Sequence, residues 1–177
     1  MKTPFLPFVS ALCLAFSAVS APAAGDGEAA VPADAAAEAR AEVFAFLKDC
    51  PAFFLATVDA AGEGAPVPRV RPFGALALWD GALYIQTGNF KAVYRQMTAN
   101  PRVELCALKP DRADGWIRIE ATAVPDTRRE ALSAVLDANP ALRGMYDEDD
   151  GKTAVFRLEN ATATISSFRA PPRTLSF

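Results

Sequence analysis

The sequence contains no histidine, only three cysteines and no basic excess, since 18 lysines and arginines stand against 21 acidic residues, for a net charge of −3. Without histidine there is no histidine-based catalytic triad, no histidine general base, no histidine-ligated zinc and no axial histidine for haem. The acidic balance argues against nucleic acid as a partner, because binding a phosphate backbone requires clustered positive charge. The acidic run Asp147–Asp150 lacks the spacing of a calcium loop, so we predict a solvated turn and no metal site.

The N-terminal segment has the pattern of a secretory signal peptide. Lys2 precedes the apolar stretch Phe5–Val19, and small residues follow at 20–24. This stretch is shorter than the ~20 apolar residues of a membrane-spanning helix, which favours cleavage over an uncleaved N-terminal anchor. We therefore predict a signal peptide at 1–23, export to the bacterial periplasm and no stable membrane insertion of the mature chain.

Two cysteines, Cys50 and Cys106, remain after the predicted cleavage. An oxidising compartment permits a disulfide between them. Because Cys50 is assigned to the end of a helix and Cys106 to the middle of a strand, we expect two separate buried thiols instead.

Composition and turn signals divide the rest of the chain. Residues 24–37 lack core-forming side chains and are predicted to be a flexible linker, with Asp34 as the N-cap of a helix that runs to about Lys48. The folded domain is assigned to 38–168 and a C-terminal tail to 169–177. The dipeptide Asp80-Gly81 between two apolar runs is typical of a β-hairpin. The predicted strands are 53–58, 67–73, 75–79, 83–87, 103–108, 116–124, 153–158 and 161–168, and the later helices are 90–99 and 127–138.

This order predicts a mainly β fold with small helices. Consecutive strands are joined by connections too short for parallel crossovers, so a doubly wound parallel sheet is disfavoured. Short strands separated by turns are typical of a closed or nearly closed antiparallel barrel.

Two segments combine into a candidate phosphate clamp. Arg69 and Arg71 alternate along a strand and therefore project from one face. The segment 86–91 follows as a strand end and a helix start, where backbone N–H groups and polar side chains can meet an anion. The alternative is a solvated strand face with an exposed helix residue. The polar and charged residues of the second segment are Gln86, Thr87, Asn89 and Lys91.

Several motifs, in order and spacing, resemble the pyridoxamine 5'-phosphate oxidase-like flavoproteins over about residues 40–168. The motifs are Phe54–Asp59, Pro68–Phe73, Leu83–Thr87 with Lys91, Asn100–Leu105 and Trp116–Glu120. The resemblance implies a six-stranded antiparallel Greek-key split barrel that binds FMN and forms a homodimer, with a flavin at each end of the subunit interface. The cofactor-binding residues that it implies are Arg71, Pro72, Phe73, Gly74, Ala75, Gln86, Thr87 and Lys91.

The resemblance also places Trp116 near the flavin ring, although a role for this residue in the barrel core or at the dimer contact stays open. Departures from the family pattern are informative. The chain ends without the arginine- and histidine-containing motif that grips pyridoxal phosphate in the namesake oxidases, so true pyridoxamine phosphate oxidation is disfavoured. The nearest functional groups are nitroimidazole reductase-like and general stress-type members.

Two classes of function remain open. The first is an exported FMN-dependent oxidoreductase that acts on a small aromatic or heterocyclic substrate, with the flavin carrying the electron chemistry. The second is a non-enzymatic protein that holds flavin or a small anion on the same barrel.

Overall fold

The computed structural model describes residues 31–60, 62 and 64–177, so the predicted signal peptide lies outside the described residues. The helices are α1 (Ala33–Lys48), α2 (Ala92–Ala99) and α3 (Arg129–Ala138), with short 3₁₀ turns at Arg112–Asp114 and Pro140–Leu142. The strands are β1 (Phe53–Asp59), β2 (Val67–Phe73), β3 (Leu76–Trp79), β4 (Ala82–Gly88), β5 (Arg102–Leu108), β6 (Trp116–Asp126), β7 (Thr153–Ser166) and β8 (Arg173–Ser176). Within this part of the chain, no helix has the length and apolar character needed to cross a membrane.

The strands form one antiparallel sheet in the order β2-β1-β5-β6-β7-β4-β3, and β8 pairs with β7. The predicted mainly β antiparallel fold is confirmed, with eight strands in the described part of the chain in place of six. The hairpin between β3 and β4 also forms as predicted. Asp80 and Gly81 both have positive φ, of 48° and 69°, which the right-handed twist of a two-residue hairpin favours.

One face of the sheet surrounds the main apolar core. Side chains alternate along each strand, so that Leu55, Leu105 and Ile119 on neighbouring strands point inward and are fully buried. Val43 and Leu47 of α1 join the same cluster. Helix α3 packs a second, smaller cluster against other residues of the sheet.

Helix α1 begins earlier than predicted. Its first residue is Ala33 and its N-cap is Pro32, not Asp34, so the predicted linker ends before residue 33. Alanine has the highest helix propensity, and Ala36 and Ala39 are buried against the barrel. The alanine-rich tract therefore extends the helix instead of forming a linker.

In the C-terminal part of the chain, the structure differs from two further predictions. The two predicted final strands are one continuous strand, β7, which accommodates positive φ at Asn160 and a register irregularity in its pairing with β6. The predicted tail contains β8, and Phe177 exchanges backbone hydrogen bonds of 2.9 and 2.7 Å with Ala161. Leu175 and Phe177 pack on the main core, which explains why this segment is ordered on the sheet.

Cys50 and Cys106 are separate thiols, as predicted. The predicted burial is wrong, because Cys106 is exposed on the outward side of β5 and Cys50 is only half-buried just beyond the end of α1. Burial is still sufficient to raise the pKa of both thiols.

We predict that the C-terminal strand contributes to stability. Leu175→Ala should lower the free energy of unfolding by about 1–2 kcal/mol, because it removes part of a half-buried apolar side chain from the core. Thr174→Ala, on the exposed side of the same strand, is the matched control and should have little effect. Urea denaturation measures both, and equal stabilities would show that β8 is only loosely attached.

Candidate functional site

A pocket of about 640 Å³ opens where the ends of β2 and β4 meet the start of α2 and the segment after α3. It is built from chain segments that are distant in sequence. The pocket brings together most of the predicted site residues, namely Arg71, Pro72, Phe73, Gly74, Ala75, Gln86, Thr87 and Lys91.

The charge of the pocket is positive, although the protein is acidic. Lys48, Arg71 and Lys91 line it, and no aspartate or glutamate is among the described residues that do so. Opposite charge therefore has to come from a ligand or from solvent. A concave site with one sign of charge concentrates ions of the other sign, so the pocket is suited to an anionic group.

Arg71 occupies the junction between the pocket and the interior. Its Nη1 donates to Thr57 Oγ1 at 2.7 Å and to the backbone oxygen of Leu55 at 3.4 Å, and its Nη2 donates to Gln96 Oε1 at 2.7 Å. Burial and the charge of Arg69 lower the pKa of Arg71, and Asp59 acts in the opposite direction. A guanidinium stays protonated in proteins, so Arg71 keeps its charge at the pocket.

The end of β4 supplies buried polar groups beside this charge. Gln86 and Thr87 are both buried, and the Gln86 amide donates to the backbone oxygen of Thr87 at 3.0 Å. The chain then turns, and the Lys91 N–H donates to the backbone oxygen of Gly88 at 3.0 Å before α2 begins. This turn brings the exposed Lys91 to the pocket as the N-cap of α2.

The segment after α3 forms the opposite wall. Asn139 fixes it to the sheet, because its amide donates to the backbone oxygens of Leu76 at 3.1 Å and Val135 at 2.8 Å. The wall is largely apolar. Its side chains include those of Leu142 and the buried Tyr146, and the Lys91 ammonium lies 5.7 Å from the centre of the Tyr146 ring.

Helix α3 is attached to the sheet by a cluster around Arg128. The guanidinium donates to Asp126 Oδ2 at 2.8 Å, to Asp80 at 3.1 Å and to the hydroxyl of Tyr84 at 3.1 Å. It also lies 4.9 Å from the centre of the Trp79 ring, a cation–π distance. The cluster thus ties the start of α3, and with it the pocket wall, to the hairpin of β3 and β4.

Comparison with known proteins identifies the family. The profile of the pyridoxamine 5'-phosphate oxidase family matches residues 39–166. A NimC/NimA family protein from Clostridium acetobutylicum is 37% identical, over 82% of this chain and 96% of that one, with a TM-score of 0.74. The chain belongs to the pyridoxamine 5'-phosphate oxidase-like family. No curated protein matches it.

More distant structures of similar fold agree on the architecture. General stress protein 26 from Bacillus anthracis is 15% identical, over 80% of this chain and 98% of that one, with a TM-score of 0.56. A haem-binding protein from Mycobacterium smegmatis is 21% identical, over 83% of this chain and 60% of that one, with a TM-score of 0.53. At these identities the likeness shows the split-barrel fold alone.

Three of the predicted site residues do not line the pocket, two from the phosphate clamp and one from the family resemblance. Arg69 shares a face with Arg71, as predicted, but its Nε is 3.4 Å from Asp59. The Asn89 amide donates to the backbone oxygen of Gly151 at 2.7 Å and so holds the turn after β4 against the loop before β7. Trp116 packs against Phe168, with ring centres 5.4 Å apart, and does not line the pocket of its own chain.

The sequence did not predict the opposite wall of the pocket, which the segment after α3 forms. The sequence predicts Lys48 only as the end of a helix and places Asn139 and Pro140 only just beyond the predicted helix 127–138. Local sequence carries no signal that these residues meet the end of β4. The additional lining residues are Lys48, Val93, Ala138, Asn139, Pro140, Ala141, Leu142, Met145 and Tyr146.

The acidic run Asp147–Asp150 forms hydrogen bonds and an ion pair in the turn before β7. Asp150 accepts from the backbone N–H groups of Lys152 at 2.6 Å and Thr153 at 2.8 Å. Partial desolvation raises the pKa of Asp150, but these and its other hydrogen bonds together outweigh it and lower the pKa to about 2. Asp149 pairs with Arg129 at 2.6 Å. The run therefore shapes the turn into β7 instead of remaining fully solvated, and no metal-binding cluster occurs among the residues that the structure describes.

We predict an acid-dependent contribution from Asp126. Its hydrogen bonds with Arg128 lower its pKa from 3.8 to about 2, despite an opposing effect of burial. A lowered pKa in the folded state adds stability that is fully present above about pH 4 and is lost as the pH falls towards 2. Asp126→Asn should thus cost about 1 kcal/mol at pH 7, because solvent around the half-exposed Arg128 screens the pair.

Urea denaturation between pH 7 and pH 2 measures this difference, which should shrink towards zero at the acid end. Asp80→Asn, at the more exposed carboxylate that contacts Arg128, should cost less at pH 7. A loss in Asp126→Asn that is independent of pH would contradict the electrostatic origin.

Proposed function

We propose that this chain is an exported FMN-binding flavoprotein that transfers electrons to or from a small aromatic or heterocyclic substrate. One observation carries the proposal: the pocket combines three cations, free of any lining carboxylate among the described residues, with a largely apolar wall. Such a pocket is complementary to a molecule with a phosphate at one end and a flat ring at the other. Membership of the oxidase-like family supports the same cofactor.

The residues present fit FMN. Arg71 and Lys91 would hold the phosphate, since charged donors form strong hydrogen bonds with phosphate oxygens. Gln86, Thr87 and the backbone of 73–75 would contact the polar chain of the cofactor. The wall around Leu142 would pack against the ring. A volume of about 640 Å³ is in the usual range for a cofactor site.

When bound, FMN supplies the electron-transfer chemistry, and the protein contributes binding and orientation. The apolar wall would exclude water from the ring, and the cations would favour a negatively charged partner. No carboxyl or thiol is found among the described lining residues. Proton transfer would therefore have to involve an ammonium group, the Tyr146 hydroxyl, solvent or the substrate.

The proposed location is the bacterial periplasm. It rests on the signal-peptide pattern of residues 1–23, with Lys2 ahead of the apolar stretch. An exported chain that folds outside the cytoplasm must acquire its cofactor there, which makes tight phosphate binding valuable. Mass spectrometry of the protein purified from the periplasm tests the cleavage site, expected after Ala23 or Ala24.

The proposed assembly is a homodimer formed through the outer face of β1, β2 and β5. Phe54 and Val70 project from this face with 48% and 70% of their surfaces exposed, and Leu108 projects from the same face. Apolar patches of this kind usually mark an interface. Pro72 belongs both to this face and to the pocket, so a second copy would approach the site.

The alternative function is a protein that holds flavin or a small anion without turnover. The lack of a carboxyl or thiol among the described lining residues favours it. Absorbance of the purified mature protein and turnover with a nicotinamide donor and a nitro-heterocycle acceptor separate the two. Flavin bands with turnover support the oxidoreductase, flavin bands alone support the binding protein, and a colourless protein that takes up no added FMN contradicts both flavin functions.

We predict that Lys91 binds the phosphate. Lys91→Ala should weaken FMN binding roughly ten- to hundredfold, because it removes a charge-assisted hydrogen bond worth about 1.5–3 kcal/mol. Riboflavin has no phosphate, so its affinity should be unchanged. Lys109→Ala carries the same change of charge outside the pocket and is the control. Flavin fluorescence at fixed salt measures the affinity of each variant for both flavins. An equal loss of affinity for FMN and riboflavin in Lys91→Ala would place Lys91 away from the phosphate.

For the dimer, we predict that a charge on the outer face separates the subunits. Static light scattering at micromolar concentration should give twice the mass of the mature chain for the wild type and a single chain for Val70→Glu, because a buried unpaired carboxylate is costly. Leu78→Glu places the same charge on an exposed apolar residue of β3 and should remain dimeric. A monomeric wild type would refute the assembly.

A further inference from the structure

The side chain of Arg71 is held by neutral groups. Its two strongest contacts, both at 2.7 Å, are to a hydroxyl and to an amide oxygen, those of Thr57 and Gln96. Thr57 in turn donates to the same amide oxygen at 2.7 Å, which closes a ring of three side chains. Thr57 and Gln96 are only 3% and 6% exposed, so this ring lies inside the protein.

The orientation of the Gln96 amide is itself fixed. Its Nε2 donates to Asp59 Oδ2 at 3.1 Å, which leaves its oxygen to face Arg71. The same Asp59 oxygen, Oδ2, also lies 3.4 Å from the Nε of Arg69. The Gln96 amide thus lies between the Asp59 carboxylate and Arg71, and the carboxylate forms an ion pair with Arg69.

We propose that Gln96 and Thr57 are positioning residues that aim the Arg71 guanidinium at an anion in the pocket through neutral hydrogen-bond partners, which leave more of its charge for the anion than a directly bonded carboxylate would. The inference rests on the proposed function, because the anion is the phosphate of FMN. A carboxylate in place of the amide would hold Arg71 equally well but would cancel the charge that attracts the phosphate. The guanidinium also has more N–H donors than its three observed hydrogen bonds use.

Burial of this polar ring has a physical cost that a structural role alone does not require. Buried amides and hydroxyls need hydrogen-bond partners, and an apolar contact between α2 and β1 avoids that need. Thr57 lies on β1, Arg71 on β2 and Gln96 on α2, so the ring joins three elements. Arg71 is the member of the ring that lines the pocket.

The test compares FMN with riboflavin in Gln96→Leu, which keeps the bulk of the side chain but removes its polar atoms. FMN affinity should fall about tenfold, because a charged donor loses its alignment, whereas riboflavin affinity should stay within about twofold. Thr57→Val, which preserves shape, should show the same direction and covers the case in which Gln96→Leu does not fold. Thr98→Ala, on the exposed side of α2, is the matched control.

A double-mutant cycle that combines Gln96→Leu with Arg71→Ala shows whether Gln96 affects FMN binding through Arg71. If Gln96 acts through Arg71, Gln96→Leu should cause no further loss of FMN affinity once Arg71 is alanine. An equal loss for both flavins, or a loss that persists in the Arg71→Ala background, would overturn the inference. If the wild type binds FMN no better than riboflavin, the phosphate site of the proposed function fails instead, and this inference fails with it.

Discussion

The pairing of β4 with the first half of β7 determines where the candidate site lies. The ladder runs from Leu83 opposite Leu158 to Gly88 opposite Thr153. Beyond its end, the chain turns into α2 and presents Lys91. Because the ladder buries Gln86 and Thr87 at this point, the polar end of β4 is rigid. A binding site on such a base requires little ordering when a ligand arrives.

The second half of β7 has a different neighbour. Where β4 has ended, β8 occupies the same edge and pairs with Thr162–Ile165. Arg173 pairs with Glu42 of α1, and Arg40 lies 5.8 Å from the centre of the Phe177 ring. The C-terminal segment therefore covers a sheet edge and packs against α1. It extends the sheet beside β7, and none of its residues lines the pocket.

Positive charge in an acidic protein is a second constraint on the site. Most other arginines with described contacts have carboxylate partners, as in the pairs of Arg128 with Asp126 and Arg143 with Asp137. Arg71 instead contacts neutral groups, and Lys91 faces the Tyr146 ring. Neutral contacts fix a cation without cancelling its field. The distribution of charge thus separates residues that stabilise the fold from residues suited to a ligand.

The sequence by itself determined the strand pattern, the β3–β4 hairpin and the polar side of the pocket from Arg71 to Lys91, because alternation, turn residues and helix starts are local signals. It did not reveal that α1 begins at Ala33 or that 173–176 is a strand, since both depend on burial against distant residues. Only the tertiary structure brought Lys48 and the wall near Asn139 to the pocket and directed Arg69 and Trp116 elsewhere. Contacts between segments far apart in the chain depend on how the whole sheet folds around its core, which no local pattern encodes.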